Sequence, residues 1–216
     1  MTTRPHLLAA ALLALLPGAT SAQDAELQRP DGWEVRFDRA GSTEADLETF
    51  VEMPPGWHIT TGPAGIFWDP ATTAEGTFRI EAEIFLFDPQ GRQEAFGVFF
   101  GGRDLQGDDQ AYTYFLVRDG GQFIVKERAG AEAPTIQPWT DHEAVRAWAD
   151  RGDDDATVGN VLAVEARADR VHFFVNEEEV ASVARGDVPV DGIVGLRVNH
   201  RLNLHVSRLE VGPLGG

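Results

Sequence analysis

Apolar and polar residues alternate along most of this chain with the two-residue period of half-buried strands, not the 3.6-residue period of helices. In Thr77–Leu86 the set Phe78, Ile80, Ala82, Ile84 and Leu86 shares one face, and Arg79, Glu81 and Glu83 share the other. Comparable stretches recur at 33–37, 65–68, 76–87, 95–100, 111–118, 122–128, 161–167, 171–176, 180–184, 193–198 and 202–211. Asp119-Gly-Gly121 links two of them as a hairpin whose glycines supply positive φ, and Glu177-Glu-Glu179 links a second pair. Ala64, Ile66 and Trp68 share a face of an apolar strand and read as core. Trp57 and His58 lie on the Pro/Gly-stiffened loop before it. One helix is predicted, near Thr140: Thr140 and Glu143 have capping-box spacing, Trp139 is placed as a staple, and Ala144, Val145 and Trp148 form one stripe. Many short strands and at most one short helix predict an all-β fold, a two-sheet antiparallel β-sandwich or jelly roll.

The first residues change the picture of where this fold works. Arg4 and His6 precede the apolar run Leu7–Leu16, which closes on the small residues Thr20-Ser-Ala22. That is the pattern of a secretory signal peptide over 1–22, and the run is too short for a bilayer core that needs about 20 apolar residues. A cleaved, secreted or periplasmic protein without a transmembrane segment is expected. A flexible lead-in over 23–32 and a single domain over 33–212 follow. The chain has no cysteine, so neither disulfides nor thiolate metal sites support the fold, and the core must suffice. The formal net charge of −17 disfavours nucleic acid and anionic membrane surfaces as partners. Among the 18 basic residues Lys126 is the only lysine.

Several segments together resemble a known family. They are Gly56-Trp-His-Ile59, Gly76-Thr-Phe-Arg-Ile-Glu-Ala-Glu-Ile84, Phe96-Gly-Val-Phe-Phe-Gly-Gly102, Asn160-Val-Leu-Ala-Val-Glu165, Val171-His-Phe-Phe-Val-Asn176 and Gly192-Ile-Val-Gly-Leu196. Over about 33–212 the chain resembles the concanavalin A-like lectin/glucanase sandwich, in the branch with laminin G-like and 3-keto-disaccharide hydrolase-like domains. The resemblance implies two antiparallel sheets of about six strands, one concave, and carbohydrate as the ligand class. Two departures stand out. The Glu-x-Asp-x-x-Glu strand of laminarinase-type glucanases is missing, so that chemistry is not expected. Glu177 follows Asn176 where relatives commonly carry Asn-Gly, which bears on the geometry of that turn.

Candidate sites were drawn from this pattern. Glu81 and Glu83 face one side of a strand, as paired carboxylates of a glycosidase could, or as plain solvent-facing residues beside Arg79. The loop Gly101–Gln110 offers Arg103 for bidentate pairing, Asp104 as a third catalytic carboxylate, and Asp104, Asp108 and Asp109 as oxygens for Ca²⁺; its bland reading is a solvated Asp/Gly turn. Tyr112 and Tyr114 share a face with Arg118 and could stack on a sugar or pack between sheets. Asn199 and His205 complete a ligand-binding set with Trp57, His58, Arg103, Tyr112 and Tyr114, against the alternative that such histidines are merely surface residues. The leading expectation is an exported carbohydrate- or glycoconjugate-binding sandwich with catalysis unproven. The alternatives are a 3-keto-glycoside hydrolase-like enzyme and an envelope protein-interaction module.

Overall fold

A computed structural model describes residues 30–214; the expected signal peptide lies outside the described residues. Fourteen strands follow one another: β1 (Glu34–Phe37), β2 (Thr49–Glu52), β3 (Trp57–Thr60), β4 (Gly65–Ala74), β5 (Phe78–Leu86), β6 (Ala95–Arg103), β7 (Ala111–Arg118), β8 (Gln122–Ala129), β9 (Thr135–Asp141), β10 (Val158–Ala166), β11 (Arg170–Val175), β12 (Glu178–Ala184), β13 (Gly192–Val198) and β14 (Asn203–Gly212). They form two seven-stranded antiparallel sheets. The front sheet has the order β1-β4-β13-β6-β7-β8-β9 and the back sheet β12-β11-β10-β5-β14-β3-β2. This is the two-sheet sandwich that the alternation predicts.

The two-residue period decides what lies between the sheets. Phe67, Phe96, Val98, Phe100 and Phe115 point inward from the front sheet, and Ile80, Ile84, Leu162, Val164 and Phe173 meet them from the back sheet, all buried. Each such side chain contributes about 1.5–3 kcal/mol on full burial, which is how a cysteine-free chain of this length holds together.

The structure corrects three local expectations. Among the described residues the only helical pieces are three-residue 3-10 turns, and Thr140 does not start a helix. It belongs to β9, opposite Phe123, and its hydroxyl donates to the Pro138 carbonyl at 2.9 Å. The N–H groups that a helix would have used are taken by other segments: His142 donates to the Gly121 carbonyl (2.9 Å), Arg146 to Asn160 Oδ1 (2.9 Å) and Trp148 to Asp119 Oδ1 (2.8 Å). Val145 is nonetheless buried in the core, with Ala144 and Trp148 packed against it, so the apolar spacing reported burial correctly and conformation wrongly. Second, Trp57 and His58 lie in a strand, β3, not in a loop. Third, Ile66 and Trp68 are buried but do not face the space between the sheets. They belong to a separate apolar cluster on the outer side of the front sheet.

The Asn176-Glu177 turn closes without glycine. Both residues take positive φ, 49° and 73°. Asn176 tolerates this conformation well, and its side chain also accepts from the Val161 N–H (2.9 Å) and donates to the Ala144 carbonyl (2.7 Å), tying the hairpin to the neighbouring segment.

Candidate functional site

The outer side of the front sheet collects residues from rows of cross-strand partners. One row runs Arg36, Ile66, Arg197, Gly97, Leu116, Ile124; the next runs Glu34, Trp68, Gly195, Phe99, Tyr114, Lys126. Tyr112 stands opposite Arg128, one pleat further along. Rows of this kind share a face, because directly opposed residues project to the same side of a sheet.

This face is strongly recessed. Five inter-strand steps separate β1 from β8, about 24 Å in a flat sheet. Yet Arg128 Nη2 of β8 comes within 3.4 Å of Asp38 Oδ1, on the residue that follows β1. Only a sheet curled into a trough lets side chains from its two sides meet. Arg197, from the central strand β13, binds both oxygens of Asp38 and donates to the Tyr112 hydroxyl at 3.3 Å. Its guanidinium carbon lies 5.2 Å from the centroid of the Tyr114 ring. Phe99, Tyr112 and Tyr114 pack in series beneath, with ring centroids 5.1 and 5.7 Å apart. Gly195 makes this possible, since a Cβ there would drive into the Phe99 ring and the Phe67 carbonyl.

Electrostatics follow from that packing. Burial pushes the Asp38 carboxyl up, but the hydrogen bonds and charge of Arg197, with Arg128 and His200 behind, outweigh it and hold Asp38 below the usual carboxylate value. Burial opposes the Arg197 charge, and Asp38 and the two tyrosines more than restore it. Burial raises the Tyr114 hydroxyl, with Arg197 opposing. The Asp38–Arg197 pair is therefore ionised, and the Tyr114 hydroxyl protonated, at neutral pH.

The loop between β6 and β7 covers one end of the trough. Leu105 packs with Ile66 and Trp68, and Arg36 Nη1 donates to the carbonyls of Leu105 (2.8 Å) and Gly107. Asp104, at φ 47°, organises the loop from within: its carbonyl accepts from the Gly107 N–H (2.9 Å) and its carboxylate from the Asp109 N–H (3.2 Å). Asp108 and Asp109 are exposed. Among the described residues no group of three or more His, Cys, Asp or Glu side chains is arranged to hold a metal ion. Trp139, on β9 beside the trough, carries the Arg118 guanidinium at 4.0 Å from its ring centroid.

The residues singled out in the sequence divide between two faces. Tyr112, Tyr114 and, by alternation after the core residue Val198, Asn199 lie on the trough side, and Arg103 is exposed where β6 ends. The Asn199 N–H donates to the Ala95 carbonyl at 2.9 Å, while its buried Oδ1 has no partner. His58 and His205 are directly opposed on the outer side of the back sheet, across the sandwich from the tyrosines. Burial, then the nearby His205, lowers the His58 pKa against a side-chain hydrogen bond with Asn203 that favours the protonated ring. Trp57 turns inward and packs on Trp33, with centroids 4.7 Å apart. Glu81 and Glu83 are on the back sheet too. Both Glu81 oxygens are held, by Arg208 at 2.5 Å and Arg79 at 2.7 Å, and Glu83 accepts from the Ser207 hydroxyl at 2.6 Å. The proposed seven-residue binding set is thus not one site. A depression of about 650 Å³ lies near the Arg79–Glu81 pair, between Thr72 and Glu210, and Arg79 and Glu81 in its lining are paired with one another.

Sequence reasoning passed over Asp38, Arg128, Trp139 and Arg197 as site residues. Arg197 had a readable signal: it is the single charge in the apolar strand Ile193–Val198. Asp38 had none, because its partner lies 159 residues away.

No protein-family model matches the chain, and no curated protein matches it in sequence. Solved structures do match in shape. A carbohydrate-binding module, CBM66, from Bacillus subtilis superposes with a TM-score of 0.60 at 14% identity, covering 84% of this chain and 95% of that one. A Bacteroides ovatus mixed-linkage glucan GH16 protein in complex with a product gives 0.57 at 9% identity, covering 86% and 97%. Bacillus licheniformis β-glucanase gives 0.57 at 8% identity, covering 87% and 95%. Modules and hydrolases thus match equally well, and at these identities what they establish is architecture: the chain has the concanavalin A-like lectin/glucanase β-sandwich fold.

Proposed function

We propose that the protein is exported and binds carbohydrate or glycoconjugate at the trough of the front sheet. The observation that carries this reading is the Asp38–Arg197–Tyr112 cluster. It is an ion pair and a phenol set into an apolar recess outside the main core, beside the Trp139–Arg118 stack. Tyr112 and Tyr114 are buried, so a sugar's C–H face packs on the part-exposed Trp139 while its hydroxyls exchange hydrogen bonds with Asp38, Arg118 and Arg128. The carbohydrate-binding module and glucanases that share the fold support the ligand class, and the apolar N-terminal run supports export. A glycosidase reading draws no comparable support. Glu81 and Glu83 are on the other side of the sandwich, engaged by Arg79, Arg208 and Ser207.

Calorimetric titration against a panel of oligosaccharides tests the reading. Saturable binding is expected, with at least about tenfold loss in Trp139→Ala, the usual scale for removing an aromatic anchor, and no change in the variant's melting temperature beyond a few degrees. A folded protein that saturates with no glycan overturns it.

A further inference from the structure

The ligand's charge class can be argued from the same trough. The chain as a whole carries 35 acidic against 18 basic residues. Along the strands of the trough face the balance reverses: Arg36, Arg118, Lys126, Arg128 and Arg197 project there against Glu34, Asp38 and Asp141, while Asp104, Asp108 and Asp109 sit on the loop at the covered end. The pairing of these charges leaves cations over. Asp38 is shared by Arg197 and Arg128, so one carboxylate serves two guanidiniums. Arg36 spends its donors on loop carbonyls, and Arg118 is held by the Gln122 amide oxygen and the Trp139 ring, neither of them anionic. Lys126, directly opposite Tyr114, forms no ion pair or side-chain hydrogen bond among the described residues. Glu34 accepts from the Gln106 amide beside the loop that covers one end.

A lone lysine left unpaired in so acidic a protein, beside an aromatic floor and unneutralised arginines, marks a place for an anion. We infer that the trough binds a sugar bearing a carboxylate, a uronic acid residue or chain end; this rests on the carbohydrate reading above. The carboxylate meets Lys126, Arg118 and Arg128 as charge-assisted donors while the ring packs on the part-exposed Trp139. The overall charge of −17 does not forbid this. At physiological ionic strength fields fade over about 8 Å, so the nearest charges decide. It does select a short ligand, since a long polyanion would run out over acidic surface.

The test uses the folded full chain and tetrasaccharides of glucuronate, mannuronate and galacturonate, each beside its carboxyl-reduced counterpart and a sulfated tetrasaccharide of equal length. At least one uronate is expected to bind about tenfold more tightly than its reduced form, the scale of one hydrogen bond to a charged group. Lys126→Gln should remove most of that difference, and Arg208→Gln, on the opposite face, none of it. Because Lys126 is the only lysine, an amine-reactive reagent read by peptide mapping reports the site in the unmodified protein, and the uronate should protect it. Equal or tighter binding of the reduced sugars, or binding of the sulfated one alone, overturns the inference while leaving carbohydrate binding intact. Saturation with none of the sugars removes both.

Discussion

On the front sheet a buried arginine holds one carboxylate across a trough; on the back sheet two part-buried glutamates alternate with three more exposed arginines. The back ladder runs Arg208, Glu81, Arg79, Glu165, Arg167, with contacts of 2.5–2.7 Å. The distances are comparable with those in the front cluster, but the surroundings differ. The Arg197 side chain is 8% exposed, against 28% for Arg79, 38% for Arg208 and 48% for Arg167. Exposed pairs exchange water for one another at little net gain, whereas a buried charge that loses its partner cannot recover its hydration. Contact length therefore says little about what an ion pair contributes; its access to water says more.

The sharpest way to break the comparison is Asp38→Ala, which strands the Arg197 guanidinium. A loss of about 3 kcal/mol in urea unfolding is expected, within the range for splitting a buried pair. A loss under about 1 kcal/mol would place the front cluster with the surface ladder. Gly195→Ala comes next. Its methyl collides with Phe99 and the Phe67 carbonyl, so about 1–3 kcal/mol should be lost, together with disturbed near-ultraviolet signals from the trough tyrosines. On the back face Arg208→Ala should cost less than about 1 kcal/mol, despite its short contact with Glu81.

The smallest expected effects are those of pH, and they separate the faces by window. His58 has a lowered pKa in the folded state, so its contribution is complete above its unfolded value, about 6.5, and declines as pH falls through that value toward the folded one. Asp38, also lowered, keeps its contribution until pH falls below the unfolded carboxylate value, about 3.9, and loses it on passing the folded one. Unfolding measured at pH 7.5, 5.5 and 3 should show the back face weakening first, and His58→Phe should flatten only the milder step.

Much of this was legible in the sequence, and the misses share a cause. Alternation identified the core set of β5, because a face choice between neighbours is a local property. It correctly placed Tyr112 with Tyr114 on one side. It could not say which of a sandwich's two kinds of surface that side was. Ile66 and Trp68 look like core for the same reason: a curled face under a covering loop buries its side chains as fully as the interior does. His58 and His205 were grouped with the tyrosines although they belong to the other sheet, since nothing local assigns β3 and β14 to one layer and β7 to the other. The expected helix failed through long-range competition, with Asn160 and Asp119 capturing N–H groups from the segment that follows β9.

The placement of the last two strands sets an order of events. β13 lies between β4 and β6, and β14 between β5 and β3, so each sheet receives an inner strand from residues 192–212. During synthesis neither sheet can zip past that gap, and every earlier strand next to it waits with an open edge. The sandwich consequently closes late and as a whole, after residue 203 has emerged, and its folding rate should carry the slow signature of pairings formed across most of the sequence. A sandwich that cannot close before β14 is made stays until then in the extended form that passage through a membrane requires, which is the form the proposed export would need.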